Sequence, residues 1–428
     1  MTRPSQHRYI VFLNIPASFH AAFQAARELG LDILHVTTSS DAVRNPGVAR
    51  QWRVDTIDFA SVTTLLKRPI KNKSIVAFWA LQDRLIPLVG KLNRELCRAS
   101  IFPSADNIRR TKNKWLMRVS LGRLEANPRF CLARAAKEVN IFKNGGKVVV
   151  KPPLGYASIG VEKACVGARL SSAIRRTQSV LPMIKKSIPS WECGSADPPD
   201  DSVLVEDFVE GVEISAEVFA TNGRYDLLGF CEKSPMRPPF FEEVSYCMPA
   251  RRLPQRQTVI RAALYEALAA LGFTDGAAHC ELIISHRRIV LLDVGLRLGG
   301  SGLSHDLVYH SSGIPLAKAA LTRLIGCDPR KFLASDRKDI CLLYLYQVGP
   351  GGRVSNMPSV PESLRQHLIR AVDFVHPGDR LRGYPRYSGL PGYALFRIQG
   401  RGRTSYATVD RILNDCREKL AISYTTSR

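Results

Sequence analysis

No stretch of this sequence approaches the run of about eighteen apolar residues that a membrane-spanning helix requires. Nor does the N-terminus pair a basic segment with an apolar one, as a secretory leader would. The expectation is a cytoplasmic protein with no membrane partner. The ten cysteines stand singly, without a CxxC pair or a Cys/His ligand spacing, so neither a disulfide framework nor a zinc centre is indicated. The phosphate-binding signature GxxxxGK[ST] occurs nowhere, and no GxGxxG follows the first apolar run, which removes support for a Walker loop and for a dinucleotide site. Acidic residues are scarce: 38 Asp and Glu face 61 Lys and Arg, a net charge of +23. The bases are nonetheless spread along the chain, without the dense tract and interleaved aromatics that single-strand binders use. Nucleic acid is therefore not the expected partner, and an anionic substrate or a basic surface accounts for the charge.

What is present is an alternating α/β pattern in a chain of 428 residues, long enough for roughly two to four domains. RYIVFLNIP (8–16) reads as a strand, 17–29 as a helix ended by Gly30, and LDILHVTT as a second strand. SIVAFWA and SIFPSA read as further strands, closing a first domain near residue 105. Helical periodicity covers 107–123, and GGKVVVKPP (145–153) reads as a strand followed by a Gly/Ser loop and a helix over about 171–186. The turn-rich, acidic segment Trp191–Asp201 reads as an exposed excursion, and a Pro-rich stretch lies near 235–239. SVLVEDFVEG, EISAEVFATNG and RYDLLGFCEK suggest one antiparallel sheet. A helix at about 256–271 leads into a hairpin turning at Ser285–Arg288, and a further α/β segment from about 335 ends in a helix near 408–420. There is no internal repeat.

Three stretches carry chemistry. In VVVKPPLGYASIGV, a strand delivers Lys151 beside a loop with Gly155, Ser158 and Gly160. Backbone amides of such a loop can close over phosphate oxygens while the lysine adds a point charge; the plain alternative is a strand ending in an exposed lysine. In VLVEDFVEGVEISAE, the acids Glu206, Asp207, Glu210, Glu213 and Glu217 crowd together in a basic chain, either as a solvated edge or as partners for a nucleotide's exocyclic amine and ribose. In HCELIISHRRIVLLDVGLRLGG, Glu281 and Asp293 lie twelve residues apart across the hairpin, so both carboxylates can face one point and hold Mg²⁺. A carboxylate within LLDV is costly unless paired or metal-bound. Arg297 follows on the same element, placed to stabilise charge that grows in a transition state. His279 reads as a structural or a substrate residue, and the polar run Ser301–Gly313 as a substrate wall or a helix with a polar face.

Taken in this order, the motifs resemble the ATP-grasp superfamily over about residues 107–325, and within it the bacilysin-type L-amino-acid ligases. The resemblance implies an α/β chain with the ATP-grasp fold, in which two α+β lobes clamp ATP between an N-terminal Rossmann-like lobe and a small C-terminal lobe. The implied division is 1–106, 107–330 with a mobile lid at about 145–210, and 331–428. By position, Lys114 and Lys151 resemble the two ATP-phosphate lysines, Gly155–Gly160 the mobile loop, and Glu206, Asp207, Phe208 and Val209 the hinge strand that meets adenine. Glu213 falls near the ribose, Glu281 and Asp293 at the metal positions, Arg297 over the transferred phosphoryl group, and His279 and Ser301 on the substrate side. Two positions depart from the pattern: Asp293 and Gly295 stand where the family commonly has Glu and Asn.

The implied reaction is ADP-forming ligation of a carboxylate to an amine through an acyl phosphate, with ATP and Mg²⁺ (or Mn²⁺) as cofactors. Two amino acids are the expected substrates, and a homo-oligomer is compatible with the pattern. A ligase of another biosynthetic pathway and an ATP-binding homologue without catalysis are the alternatives.

Overall fold

The run YIVFL forms β1 (Tyr9–Leu13), followed by α1 (His20–Glu28), β2 (Asp32–Thr37), β3 (Val48–Arg53), α2 (Phe59–Leu65), α3 (Lys67–Lys71), β4 (Ile75–Trp79) and α4 (Ile86–Leu96). The structure is a computed structural model that describes residues 8–38, 47–97, 100–155, 158–167, 169–187, 198–234, 243–251, 253, 256–383 and 390–425. Strands β1 to β4 form a parallel sheet of order β3-β2-β1-β4. Its inner strands are buried on both faces, which is why they read as continuous apolar runs. The sequence VARQWR has no such run, because β3 is an edge strand with a largely exposed surface. The expected strand in SIFPSA is corrected: Ile101–Ser104 joins no sheet. Pro103 cannot donate to a ladder, and the Ser104 hydroxyl instead accepts from the Asn107 amide at 3.1 Å, opening a helix.

The helix expected over 107–123 is two helices, α5 (Ala105–Lys112) and α6 (Lys114–Leu121). Asn113 separates them: its side chain accepts from the amides of Trp115 and Leu116, and its backbone bridges Leu154. That break puts Lys114 at the first turn of α6, beside the glycine loop, with its amide donating to the Pro153 oxygen at 2.7 Å.

A second four-stranded sheet, over the segment expected to form the lid, comprises β5 (Phe130–Ala133), β6 (Lys147–Lys151), β7 (Glu162–Cys165) and β8 (Val203–Asp207), in the order β5-β8-β6-β7 and antiparallel throughout. Helix α7 (Leu170–Ser187) covers one face, and Val148, Val150, Ile174, Val203 and Val205 form part of its core. The sheet begins with β5, ahead of the expected start near 145. Of the expected excursion at 191–201, residues 191–197 lie outside the described residues, as does the Pro-rich stretch at 235–239.

The acidic strand and the two after it do not form one sheet. Strand β8 closes the lid, whereas β9 (Val212–Thr221) and β10 (Arg224–Lys233) belong to a larger sheet. Gly211 lies at the crossing, where a Cβ would come within 2.5 Å of the Ile284 carbonyl oxygen. The large sheet continues with β11 (Ser245–Met248), β12 (Gly276–Ile284), β13 (Ile289–Gly295) and β14 (Ile340–Leu345). Strands β15 (Gly351–Asn356), β16 (Leu368–Asp373), β17 (Arg380–Arg382), β18 (Gly392–Ile398) and β19 (Ser423–Tyr424) follow in the chain. Of these, β16 and β18 complete the antiparallel order β13-β12-β9-β10-β11-β14-β18-β16, so the sheet runs through the expected boundary at 330/331. The others form a small sheet, β17-β15-β19.

Helix α8 (Gln257–Ala270) packs Ile260, Leu264 and Leu268 against one face of the large sheet, in a core shared with Ala278, Cys280, Leu282 and Ile284. Helices α9 (Leu303–Ser312) and α10 (Leu316–Leu324) share a core with the N-terminal lobe and with Phe219, Cys231, Met248 and Cys341 of the sheet. Helix α11 (Arg403–Lys419) closes the C-terminal core. Among the described residues, no helix is long and apolar enough to cross a membrane, and the nine cysteines form no disulfide.

Candidate active site

The hairpin of β12 and β13 places Glu281 and Asp293 on adjacent strands, as expected, and a register shift between Glu281 and Leu282 makes them direct partners. Because Ala278, Cys280 and Leu282 turn into the α8 core, strand alternation sends His279 and Glu281 to the opposite face. Glu281 Oε1 there accepts from Lys233 at 2.7 Å and lies 3.7 Å from His279 Nε2. Asp293 Oδ2 accepts from Lys114 at 3.1 Å. Two adjacent carboxylates on rigid strands, each balanced by a lysine, form a donor set of hard oxygens that fits magnesium. Lys233, at the end of β10, also donates to Glu213 at 2.7 Å and to Glu243 at 2.9 Å. Glu213, Glu243 and Glu281 present oxygens within 4.8 Å of one another, but the buried ammonium of Lys233 binds all three.

His279 Nδ1 lies 2.6 Å from Glu217. Burial lowers the affinity of its ring for a proton, but Glu217 and Glu281 outweigh that and raise its pKa to about 10. His279 is therefore an imidazolium near neutral pH and not a general base. A Cβ at Gly299 would come within 2.4 Å of its ring, so that glycine provides the space in which the histidine packs.

On the last residue of β6, Lys151 is 7% exposed and donates to Glu206 at 2.8 Å. The other oxygen of Glu206 accepts from Nε of the fully buried Arg118 at 2.6 Å, and Arg118 also donates to the Leu292 carbonyl at 3.1 Å. Burial favours the neutral form of Glu206, yet Arg118 and Lys151 overcome it and hold the carboxyl at about 2. Burial lowers the Lys151 ammonium to about 8, assisted by Arg118 and Lys114 and opposed by Glu206.

Residues 145–305 match the family described as ATP-grasp domain. That match spans less than half of the chain. Its ATP-grasp fold is shared with an L-amino acid ligase from Bacillus licheniformis, at a TM-score of 0.84 and 22% identity over 99% of this chain and 100% of that one. Phosphoribosylglycinamide synthetase from Anaerococcus prevotii superposes with a TM-score of 0.67 at 14% identity, over 98% of this chain and 100% of that one. In sequence, 142 residues are 28% identical to carnosine synthase 1 from Homo sapiens, covering 32% of this chain but only 17% of that relative.

Within the matched segment, the side chains of the expected hinge are engaged in ion pairs. Glu206 is committed to Arg118 and Lys151, while Asp207 is held by Arg129 at 2.8 and 3.0 Å and approached by Arg288 at 3.4 Å. Phe208 packs under Lys163, whose Nζ lies 3.7 Å from the ring centroid, and Val209 is half-buried beside it. Glu213 faces Lys233. In the glycine loop, Gly155 offers its carbonyl to Lys114 at 3.5 Å, and Ser158 and Gly160 both have positive φ; residues 156–157 lie outside the described residues. Ser301 falls in the short turn Gly300–Gly302 ahead of α9.

Four partners escaped the sequence reading: Arg118, Lys233, Glu243 and Asp83, the last of which pairs with Arg297. Arg118 sits four positions after Lys114, on the same helical face, and that spacing was the available signal. Lys233 carried no such signal, since it ends a strand that also contains Arg224, Asp226 and Glu232.

The lowered Lys151 gives a pH prediction. ATP phosphates favour its ammonium form, so ATP affinity should be level below about pH 8 and weaken above it as the free protein loses that proton. Measured kcat/KM for ATP should fall by up to about tenfold per pH unit on this limb. Lys151→Arg, whose charge persists, should remove the limb; an unchanged alkaline profile would assign it to another group.

Proposed function

We propose that this chain is an ATP-dependent, ADP-forming ligase that joins a carboxylate to an amine, with amino acids as both substrates. The observation that carries the reading is the convergence of Lys114 with the cross-strand pair Glu281 and Asp293, opposite the buried Lys151. Such a site positions and neutralises phosphates and needs no protein nucleophile.

Lys114 and Lys151 bind the phosphates of ATP, and the glycine loop and lid close to exclude water. A substrate carboxylate oxygen attacks the γ-phosphorus, the bond to the bridging oxygen breaks, and ADP leaves. Arg297 stabilises the charge of the transferred group. Magnesium, held by Glu281 and Asp293, would screen the phosphate charges when bound. The amine then attacks the acyl phosphate, phosphate departs, and the amine proton goes to solvent. His279, a cation beside Glu281, anchors this wall and favours anionic substrate groups. The dipeptide assignment is supported by the likeness to an L-amino acid ligase and to carnosine synthase 1. We assign the protein to the cytoplasm on its ATP requirement.

A screen of ADP release over pairs of amino acids and small carboxylates tests the proposal. ADP formation that requires both a carboxylate and an amine supports it. ATP binding with no ADP release from any pair would favour a non-catalytic homologue.

A further inference from the structure

Arg297 is held from outside the ATP-grasp domain. Its Nη2 donates to Asp83 Oδ2, and its Nη1 donates to the Leu298 carbonyl at 3.1 Å. The other oxygen of Asp83 accepts from Lys112. Asp83 lies in the N-terminal lobe, on the single turn Asp83–Leu85 between β4 and α4. Lys112 is the last residue of α5, and Arg297 follows β13. One carboxylate thus ties together three elements that are distant in sequence.

Two further observations concern the guanidinium itself. Arg297 Nε is buried and has no partner among the described residues. A buried donor left unmet is costly, so this N–H is kept for a group that arrives with substrate. A Cβ at Gly295 would lie 3.4 Å from Arg297 Cζ, so the longer side chain common at this position would compete for the space that the clamped guanidinium fills.

We propose that Asp83 is a positioning residue that fixes the plane of the Arg297 guanidinium, so that its spare Nε–H meets the γ-phosphoryl group of ATP. The assignment rests on the ATP-dependent reading above. A long, flexible side chain loses rotamer freedom when it engages a ligand, and a clamp made in the free protein removes that loss from the binding step. The carboxylate also separates two cations that would otherwise repel. Asp83 touches neither nucleotide nor metal and acts through Arg297.

The test is a double-mutant cycle on nucleotide affinity, which requires no knowledge of the acceptor. Calorimetry with Mg²⁺ gives dissociation constants for ADP and for the non-hydrolysable AMP-PNP, and their ratio isolates the contribution of the γ-phosphoryl group. Asp83→Ala should lower that ratio about tenfold in the native background, as expected for a lost charge-assisted contact, and leave it unchanged in an Arg297→Ala background. A purely structural role would weaken both nucleotides alike and act in both backgrounds, and either result overturns the proposal. Asp83→Asn runs the same cycle if the alanine variant is insoluble, because it keeps the shape and one acceptor. Native protein that binds neither nucleotide would refute the ATP-dependent reading itself, whereas tight AMP-PNP binding with equal ratios in native and Asp83→Ala protein would refute only the clamp.

Discussion

Lys151→Ala is expected to lower kcat/KM for ATP on the order of 10³-fold while the protein still folds. The lysine is the last residue of β6, and its buried ammonium is the only described partner that Glu206 has besides Arg118. Truncation removes one phosphate ligand, but Arg118 still neutralises the buried carboxylate through Nε at 2.6 Å and Nη2 at 3.3 Å. Some stability is lost with the second cation, and the fold remains because the lid core of Val148, Val150, Val203 and Val205 is untouched. Initial rates of ADP formation against ATP concentration, alongside a thermal melt, separate the two effects. A variant that melts far below the native protein yet turns over normally per folded molecule would assign Lys151 to structure alone.

Glu281→Ala and Asp293→Ala should each lose magnesium-dependent turnover, by about 10²-fold or more, and the double variant should lose little beyond the worse single one. Two ligands of one ion act as a unit, so removing the second costs little once the first is gone. The singles should nonetheless differ in stability. Loss of Glu281 takes a partner from both Lys233 and His279, which are buried or nearly so, whereas loss of Asp293 releases one cation, Lys114, and the Val294 amide. Glu281→Ala should therefore be the less stable protein. Turnover as a function of Mg²⁺ concentration checks the pair, and small losses that simply add would argue against a shared ion.

The parts of the fold that could be read from sequence are those with one dominant pattern. Strands β1, β2 and β4 are buried on both faces, and the hairpin around Ser285–Arg288 is fixed by a polar turn between two apolar runs; both kinds appear where expected. The turn alone would set Glu281 opposite Leu292; a register shift between Glu281 and Leu282, which has no local signature, brings Asp293 opposite it instead. The exposed edge β3 and the short β5, none of whose flanks forms an apolar run, carry no comparable pattern. The division of the acidic strands between two sheets depends on the close approach of Gly211 to β12, a tertiary contact with no local signature.

The site divides in the same way. Lysines and carboxylates in recognisable motifs were found, but their mutual neutralisation was not. Glu206 looked like a ligand for adenine because nothing local shows that Arg118, 88 positions earlier, buries against it. Asp83 was invisible for a stronger reason: its partner Arg297 lies 214 residues away, and only docking of the N-terminal lobe brings them together.

The identity of the intermediate tests the central claim most directly. If a carboxylate is phosphorylated first, the enzyme holds a mixed anhydride that a small nucleophile can intercept, so hydroxylamine should replace the second amine. With ATP, Mg²⁺, the carboxylate found in the screen and hydroxylamine, the account predicts a hydroxamate and ADP in matched amounts. ADP without hydroxamate would mark a water-attack ATPase, and hydroxamate with AMP and pyrophosphate would mark an adenylating enzyme; either result would contradict the acyl-phosphate mechanism.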